Sequence, residues 1–341
     1  LQDVRRYLSE RGFNIRKVLS QPSCSVIFFE DLSFNSMLFV PKDSRCDPSL
    51  STRDVFLKLF EETLARFQPT IVTTYGALGE SIFESSKRYG AKTVGLLQNL
   101  SYKRASYFKN ADLTIVPSQY ASNHYKNELG IDTEIVPPLI GPGGALYNED
   151  ANARRYALFI NPLPGKGAEL FLAIAKALIA RRPDIHFLVV EGSARISSLG
   201  EYDPDWRQVS NIHWLPNNPV PGNFYKLAKV VLVPSFVKES FGRVPIAAMM
   251  AGIPVITSNR GAFPETVNDA GLILDVPDDE GDRSSFERIV ETWIRAIVRF
   301  YDDPVFYKEM VDRGRLHAKK YRYGSVLDKF DTTLLKLIDR R

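Results

Sequence analysis

Short apolar runs alternate with amphipathic stretches along most of this chain, a pattern that predicts parallel α/β architecture. In the first half the runs fall at residues 25–29, 36–40, 70–73, 93–97, 113–116 and 134–136, with helical patterns at 52–67 and 78–89. A further helix-like segment opens the chain at residues 1–13. In the second half strands are predicted at 156–160, 186–190, 211–215, 230–233, 254–257 and 271–274. Helices fit 168–180, 224–228, 245–251 and 285–301, and two more lie in the tail, 305–337. Neither half repeats the other in sequence, but both repeat the order of strand and helix. Between them Pro137, Pro138, Pro142 and three glycines compose a linker. The expected division is a lobe at 1–140, a linker at 141–155, a second lobe at 156–318 and a final helix at 319–341. Each lobe should be Rossmann-like, the two facing a central cleft, with ligands at the carboxyl edges of the strands.

The densest chemistry lies between residues 230 and 265. An apolar strand, 230–233, runs into Pro234 and Ser235, and a helical run starts directly after Glu239, Phe241 and Gly242. A second strand ends in Ser258, Asn259, Arg260 and Gly261, and Pro264 and Glu265 open the next element. Helix starts at the carboxyl ends of strands leave backbone N–H groups pointing into one crevice, which favours an anion. Gly242 at such a start allows a ligand close to the backbone. Upstream, Asn161 to Gly167 reads N-P-L-P-G-K-G after the first strand of the second lobe and before a helix. Lys166 there can neutralise a diphosphate as a flexible point charge. Taken alone, P-G-K-G fits a surface turn equally well, and it is not a Walker loop. Paired with the downstream motif, it predicts phosphate binding.

Glu239, Phe241, Gly242, Arg243 and Val244, followed by Ala251, Gly252, Pro254, Val255 and Ile256, resemble the donor-site signature of GT-B glycosyltransferases. The resemblance is to the retaining family usually numbered four, the glycosyl transferases group 1. It implies a GT-B fold whose last helix crosses back to the first lobe, a nucleotide-sugar on the second lobe and an acceptor on the first. By the same resemblance Lys166 and Glu239 are the catalytic candidates, the lysine on the leaving diphosphate and the carboxylate on sugar hydroxyls. Asn161, Gly165, Gly192, Leu215, Phe241, Gly242, Arg243, Val244 and Gln98 are the expected substrate-binding positions, with the base near Leu215. A carboxylate that only caps the following helix is the plain alternative for Glu239. The Arg243 side chain can equally lie on the surface, Gln98 can be an ordinary strand-end residue, and core packing is the expectation for Trp214. Four positions depart from the family. Ala247 replaces a second glutamate that grips the ribose hydroxyls, and losing such an acceptor costs roughly 1.5–3 kcal/mol. Asn161 stands where many relatives carry arginine, Gln98 where many carry histidine, and Ala262 where a second glycine is usual. In the family a strand and a glycine-rich loop precede the first helix, so those residues either lie upstream or the lobe is abridged.

The chain has 341 residues, 44% hydrophobic and 25% charged, which suits two soluble globular domains. No apolar run approaches the roughly 20 residues needed to span a bilayer. A formal charge of +4, evenly spread, gives no reason to expect nucleic acid. Arg5, Arg6, Arg11, Arg16 and Lys17 face only Asp3 and Glu10 in the predicted first helix. That face suggests peripheral contact with an anionic membrane, against the alternative of a solvated helix face. Cys24 and Cys46 do not form a disulfide framework, and a reducing, cytoplasmic setting follows. His124, His186, His213 and His317 are scattered, so no metal site is expected. Asp203 and Asp205 have D-x-D form but flank Pro204, which predicts a turn. Gly141, Gly143 and Gly144 miss the dinucleotide pattern, and no cofactor is expected beyond the nucleotide-sugar substrate. Asn99 and Ser101 form a sequon, meaningful only in a secreted chain.

The function expected is retaining, metal-independent transfer of a hexose from a nucleotide-sugar, UDP-glucose foremost and GDP-mannose next. The acceptor hydroxyl would belong to a glycan, a lipid-linked molecule or a small molecule. A catalytically silent sugar-nucleotide binder and a GT-B epimerase or phosphorylase remain the alternatives.

Overall fold

In a computed structural model, residues 6, 8–10, 13–21, 24–31, 34–41, 52–76, 78–140, 154–218, 220–277 and 285–339 are described. They form two units, residues 1–94 with 106–112, and 95–105 with 113–341. The predicted linker lies outside the described residues except at 154 and 155, as do Gly141, Gly143, Gly144 and Cys46.

The first unit departs from the expected parallel pattern at its start. Strands β1 (Asn14–Ser20), β2 (Cys24–Asp31) and β3 (Phe34–Pro41) form an antiparallel meander. Arg16 and Lys17, expected on a basic first helix, stand on β1, where Arg16 pairs with Glu30 of β2. Arg5 and Arg11 lie outside the described residues, so the basic helix face is not assembled from what is seen. Cross-strand pairing of side chains explains the difference: I-R-K-V-L carries β-branched residues as well as helix formers, and pairing with β2 decides between them. Next come α1 (Arg53–Phe67), β4 (Ile71–Thr74), α2 (Gly79–Arg88) and β5 (Lys92–Leu96). Glu61 of α1 accepts hydrogen bonds from Ser85, at 2.9 Å, and from Arg88 of α2. Asp112 receives the Thr93 amide and hydroxyl, each at 2.8 Å, and pairs with Lys87. Those donors hold its carboxyl below the usual range, against the burial that pushes the other way.

The second unit takes over at Gly95 within β5. The end of that strand continues to Leu97, whose amide donates to Ile115 of β6 (Leu113–Val116), and β6 pairs in parallel with β7 (Glu134–Ile135). Helix α3 (Gln119–Leu129) lies between them in sequence and was not among the prominent predicted helices. It starts at Ser118, whose hydroxyl accepts from the Ala121 amide, and ends at Gly130 in the left-handed region.

The remainder is built on β8 (Tyr156–Ile160), β9 (His186–Val190), β10 (Ile212–Leu215), β11 (Ala228–Val233), β12 (Val255–Ser258) and β13 (Leu272–Leu274). These six strands pair in the order β10-β9-β8-β11-β12-β13, every junction parallel. The order reverses between β8 and β11, so the crevice past their carboxyl ends is where an open α/β sheet accepts a ligand. Helices cover both faces: α4 (Ala168–Arg181), α5 (Gly222–Tyr225), α6 (Arg243–Met250), α7 (Phe263–Thr266), α8 (Phe286–Asp302) and α9 (Pro304–Ala318). Alternation along β8 assigns the two cores. Ala157 and Phe159 join Phe171, Phe187, Trp293 and Ile297 on one side, while Leu158 packs with Ile246, Met249 and Phe263 on the other. Phe159 stacks on Phe171 at 4.7 Å and Phe171 meets Phe187 edge-on at 5.4 Å. Each fully buried side chain of this size contributes about 1.5–3 kcal/mol, which fixes the strand ends that carry the site.

The last helix, α10 (Tyr323–Asp339), returns to the beginning of this unit. Its Val326 and Phe330 line a small apolar cavity with Leu96, Ile115 and Val136, residues from the first half of the sequence. No described helix is long and apolar enough to cross a membrane.

Candidate functional site

Two loops meet at the switch point. The first leaves β8 through Asn161, whose φ of 62° places it in the left-handed region that asparagine tolerates. It then makes a single 3-10 turn, Pro164–Lys166, before Gly167 starts α4. Gly167 has φ 84°, and a Cβ there would sit 2.0 Å from the Pro234 carbonyl oxygen, so only glycine allows this loop to lie on the second one. The Gly165 carbonyl binds that second loop directly, accepting from the amides of Phe236 at 2.9 Å and Val237 at 3.0 Å.

The second loop leaves β11 at Pro234 and Ser235 and reaches Glu239. Ser235 is fully buried and donates to the Val237 carbonyl at 3.1 Å, and its oxygen lies 3.2 Å from Glu239 Oε1. The Glu239 backbone bridges to Gly261, and its carbonyl accepts from the Ala262 amide at 2.8 Å. A Cβ on Gly261 would lie 2.3 Å from the Glu239 nitrogen and oxygen, so that glycine is needed, whereas Ala262 is accommodated in the position after it. Gly242, at φ 90°, then starts α6 with no side chain capping the helix. Its amide end therefore opens onto the crevice.

Lys166 and Glu239 come together as an ion pair, Nζ to Oε1, 73 residues apart in sequence. They line a cavity of about 530 Å³ together with Gln98, Asn99, Asn161, Ser240, Phe241, Gly242, Arg243 and Val244. Eight of the eleven residues expected at the site thus share one cavity. The remaining three are not among its lining residues. Gly165 ties the two loops together, as above. Gly192 follows β9, and the close approach expected of a ligand is made instead by Asn161, whose Cγ would be 2.7 Å from a Cβ there. Leu215 ends β10, where its carbonyl accepts from the Glu191 amide at 3.0 Å, and it packs partly buried on the sheet.

Side-chain detail refines several roles. Asn161 Oδ1 accepts from the Ala194 amide at 3.0 Å and Ser193 Oγ at 3.2 Å, so its amide N–H2 is the group left to donate toward a ligand. The Phe241 ring is buried, 5.3 Å edge-on to Tyr321, so only its backbone serves the cavity. Gln98 is held through its carbonyl, which accepts from Ser240 Oγ at 2.7 Å. The Ser240 carbonyl accepts from Ser118 at 2.6 Å, and Glu265 caps α3 by accepting the Gln119 and Tyr120 amides at 2.8 Å each. Ser235, Ser240 and Asn99 were not among the site residues expected from the sequence. Ser235 had a signal, a polar residue directly after an apolar strand.

Trp214 is 52% exposed, its ring edge-on to Trp206 at 6.0 Å, so it is no core residue. Asp203 accepts from the Asp205 amide at 2.9 Å and pairs with Lys176, the turn expected there. His186 and His213, scattered in sequence, are neighbours on β9 and β10 with ring nitrogens 3.1 Å apart. Among the described residues no group of three or more metal-ligating side chains occurs.

A six-stranded parallel lobe of order 3-2-1-4-5-6, carrying a lysine, a carboxylate and an uncapped helix start at its switch point, has the architecture of a GT-B lobe. Residues 149–311 match the family described as glycosyl transferases group 1. The solved sucrose-phosphate synthase of Thermosynechococcus elongatus shares the fold, with a TM-score of 0.72 at 19% identity over 96% of this chain and 87% of that one. A D-inositol 3-phosphate glycosyltransferase of Arthrobacter sp. (strain FB24) is 26% identical over 56% of this chain and 45% of its own length. A GDP-mannose-dependent monoacylated alpha-(1-6)-phosphatidylinositol monomannoside mannosyltransferase of Corynebacterium glutamicum is 26% identical over 51% of this chain and 45% of its own. The chain therefore spans a little under half the length of these curated relatives.

Proposed function

We propose that this protein transfers a hexose from a nucleotide-sugar to an acceptor hydroxyl, with retention at the anomeric carbon. The observation that carries the proposal is the convergence of Lys166, Glu239 and the uncapped start of α6 on one cavity at the sheet's switch point. In this reading the diphosphate lies between Lys166, the Asn161 amide and the first N–H groups of α6. These donors are preorganised, so they stabilise the charge that grows on the leaving phosphate. The bond from the anomeric carbon to the diphosphate breaks as the bond to the acceptor oxygen forms on the same face. The acceptor's proton passes to the departing phosphate oxygen. Glu239 orients the sugar by accepting from its hydroxyls. Lys166 and the helix start supply the positive field that a divalent cation gives in other transferases, so no metal is invoked. UDP-glucose is the donor proposed first, from the family resemblance, with GDP-mannose second because a relative is named for it. Glycan, lipid-linked and small polyol acceptors fit the resemblance, and peripheral contact with a membrane belongs to the same proposal.

Ala247 favours a second reading, a protein that binds a sugar nucleotide without turning it over. Incubation with radiolabelled UDP-glucose or GDP-mannose and a panel of acceptors, inositol phosphates and phosphatidylinositol included, separates the two. Transfer by wild type, raised about tenfold or more in k-cat over KM by Ala247→Glu, is expected if only a ribose contact is missing. Nucleotide binding without transfer in both proteins would establish the silent binder. Absence of any nucleotide binding would end both readings.

A further inference from the structure

The ion pair at the centre of the site has a consequence for what the site selects. Lys166 and Glu239 are the two residues that the proposed function assigns to opposite parts of one ligand, the phosphate and the sugar. In the structure they pair with each other, with Lys166 Nζ on Glu239 Oε1. The lysine side chain is 33% exposed and the carboxylate 18%, so the pair is neither freely solvated nor sealed. Beyond Lys166, the Ser235 hydroxyl lies 3.2 Å from that carboxylate oxygen, with the Val237 carbonyl, at 3.1 Å, competing for its one proton.

An anion entering alone must take Lys166 from Glu239. That leaves a largely shielded carboxylate beside an incoming negative charge, which is unfavourable both by desolvation and by repulsion. A ligand that brings an anion for the lysine and hydroxyl donors for the carboxylate exchanges both partners at once and strands neither. We infer that the Lys166–Glu239 pair acts as an exchange gate, favouring ligands that join a diphosphate to a sugar rich in hydroxyls over bare pyrophosphate or nucleoside diphosphate. The inference rests on the proposed nucleotide-sugar site and adds a rule of discrimination to it. It also assigns a role in turnover. Once the sugar has left, Glu239 loses its hydroxyl partners and competes again for Lys166, which helps to expel the nucleoside diphosphate.

Glu239→Gln keeps the shape and removes the competing charge. Titration calorimetry with inorganic pyrophosphate, UDP and UDP-glucose reads the result. Glu239→Gln is expected to bind pyrophosphate about tenfold more tightly than wild type, and the preference for UDP-glucose over UDP to shrink. In the double variant Lys166→Met with Glu239→Gln the gain for pyrophosphate should vanish, since it acts through the freed lysine. Glu239→Ala provides a second variant in which the same gain is expected, and melting curves verify that each variant is folded. Pyrophosphate binding in Glu239→Gln no tighter than in wild type, with UDP still bound, overturns the exchange gate and leaves the proposed function standing. Wild-type protein that binds none of the three ligands overturns both.

Discussion

Replacing Lys166 by methionine removes one charge while keeping most of the side chain's length, and its effects are calculable from the site. In the free protein the variant strands Glu239. Exposed ion pairs contribute about 0.2–1 kcal/mol and breaking a buried one costs about 3–5 kcal/mol. Side-chain exposures of 33% and 18% place this pair between the two, nearer the exposed case once solvent screening is allowed for. A loss of about 1–2 kcal/mol follows, which in a domain of this size lowers the melting temperature by roughly 2–8 °C. The ligand should report a separate loss. A charge-assisted hydrogen bond to phosphate contributes about 1.5–3 kcal/mol, and wild type gives up part of that in separating Lys166 from Glu239, so the dissociation constant for UDP should rise by about tenfold. Calorimetry and thermal melting on the same preparation test both. The decisive readout is that UDP should no longer raise the melting temperature at concentrations that stabilise wild type. A variant that binds UDP as wild type does would refute the placement of Lys166 on the phosphate, whatever its stability.

Two further outcomes depend on the loops and on the tail. Gly167→Ala puts a Cβ 2.0 Å from the Pro234 carbonyl in a left-handed backbone, and should destabilise by more than about 2 kcal/mol in urea unfolding. An unchanged midpoint would show that the two site loops are not locked together there. His317 donates from Nε2 to the Thr266 carbonyl at 2.7 Å, and burial pushes its pKa below the ordinary 6.5 despite that bond. The unfolded chain then binds the proton first, so stability is full above pH 6.5 and falls as pH drops through the lowered folded value. Melting temperatures between about pH 7.5 and about pH 5 should fall more steeply for wild type than for His317→Gln. Equal slopes would remove His317 as a contributor. His213 is shifted the same way, by burial first and then by His186 and Arg155, so part of the slope should persist in the variant.

What the amino-acid order alone determined was the grammar of the second lobe. Uniformly apolar segments such as 156–160 and 230–233 admit burial on both faces, and that requirement singles out parallel strands whatever surrounds them. Gly242 was legible as a glycine at a helix start, and the carboxylate and lysine stood out against apolar neighbours, whereas the left-handed backbone at Gly167 and Gly261 showed only in the fold. Tertiary structure decided the rest. Residues 14–20 carry both helix and strand tendencies, and only pairing with β2 chose between them. The room at Gly192 is filled by a side chain from another strand end, and Ser235 matters through a carboxylate four residues on that the fold turns back toward it. Above all, the sequence paired Lys166 with the Glu239 motif around one phosphate, and only the strand order brought the two side chains, 73 residues apart, into contact with each other. Composition and spacing record which groups a chain owns. Which of them neutralise one another depends on distances across a sheet, and those are set by packing on both of its faces.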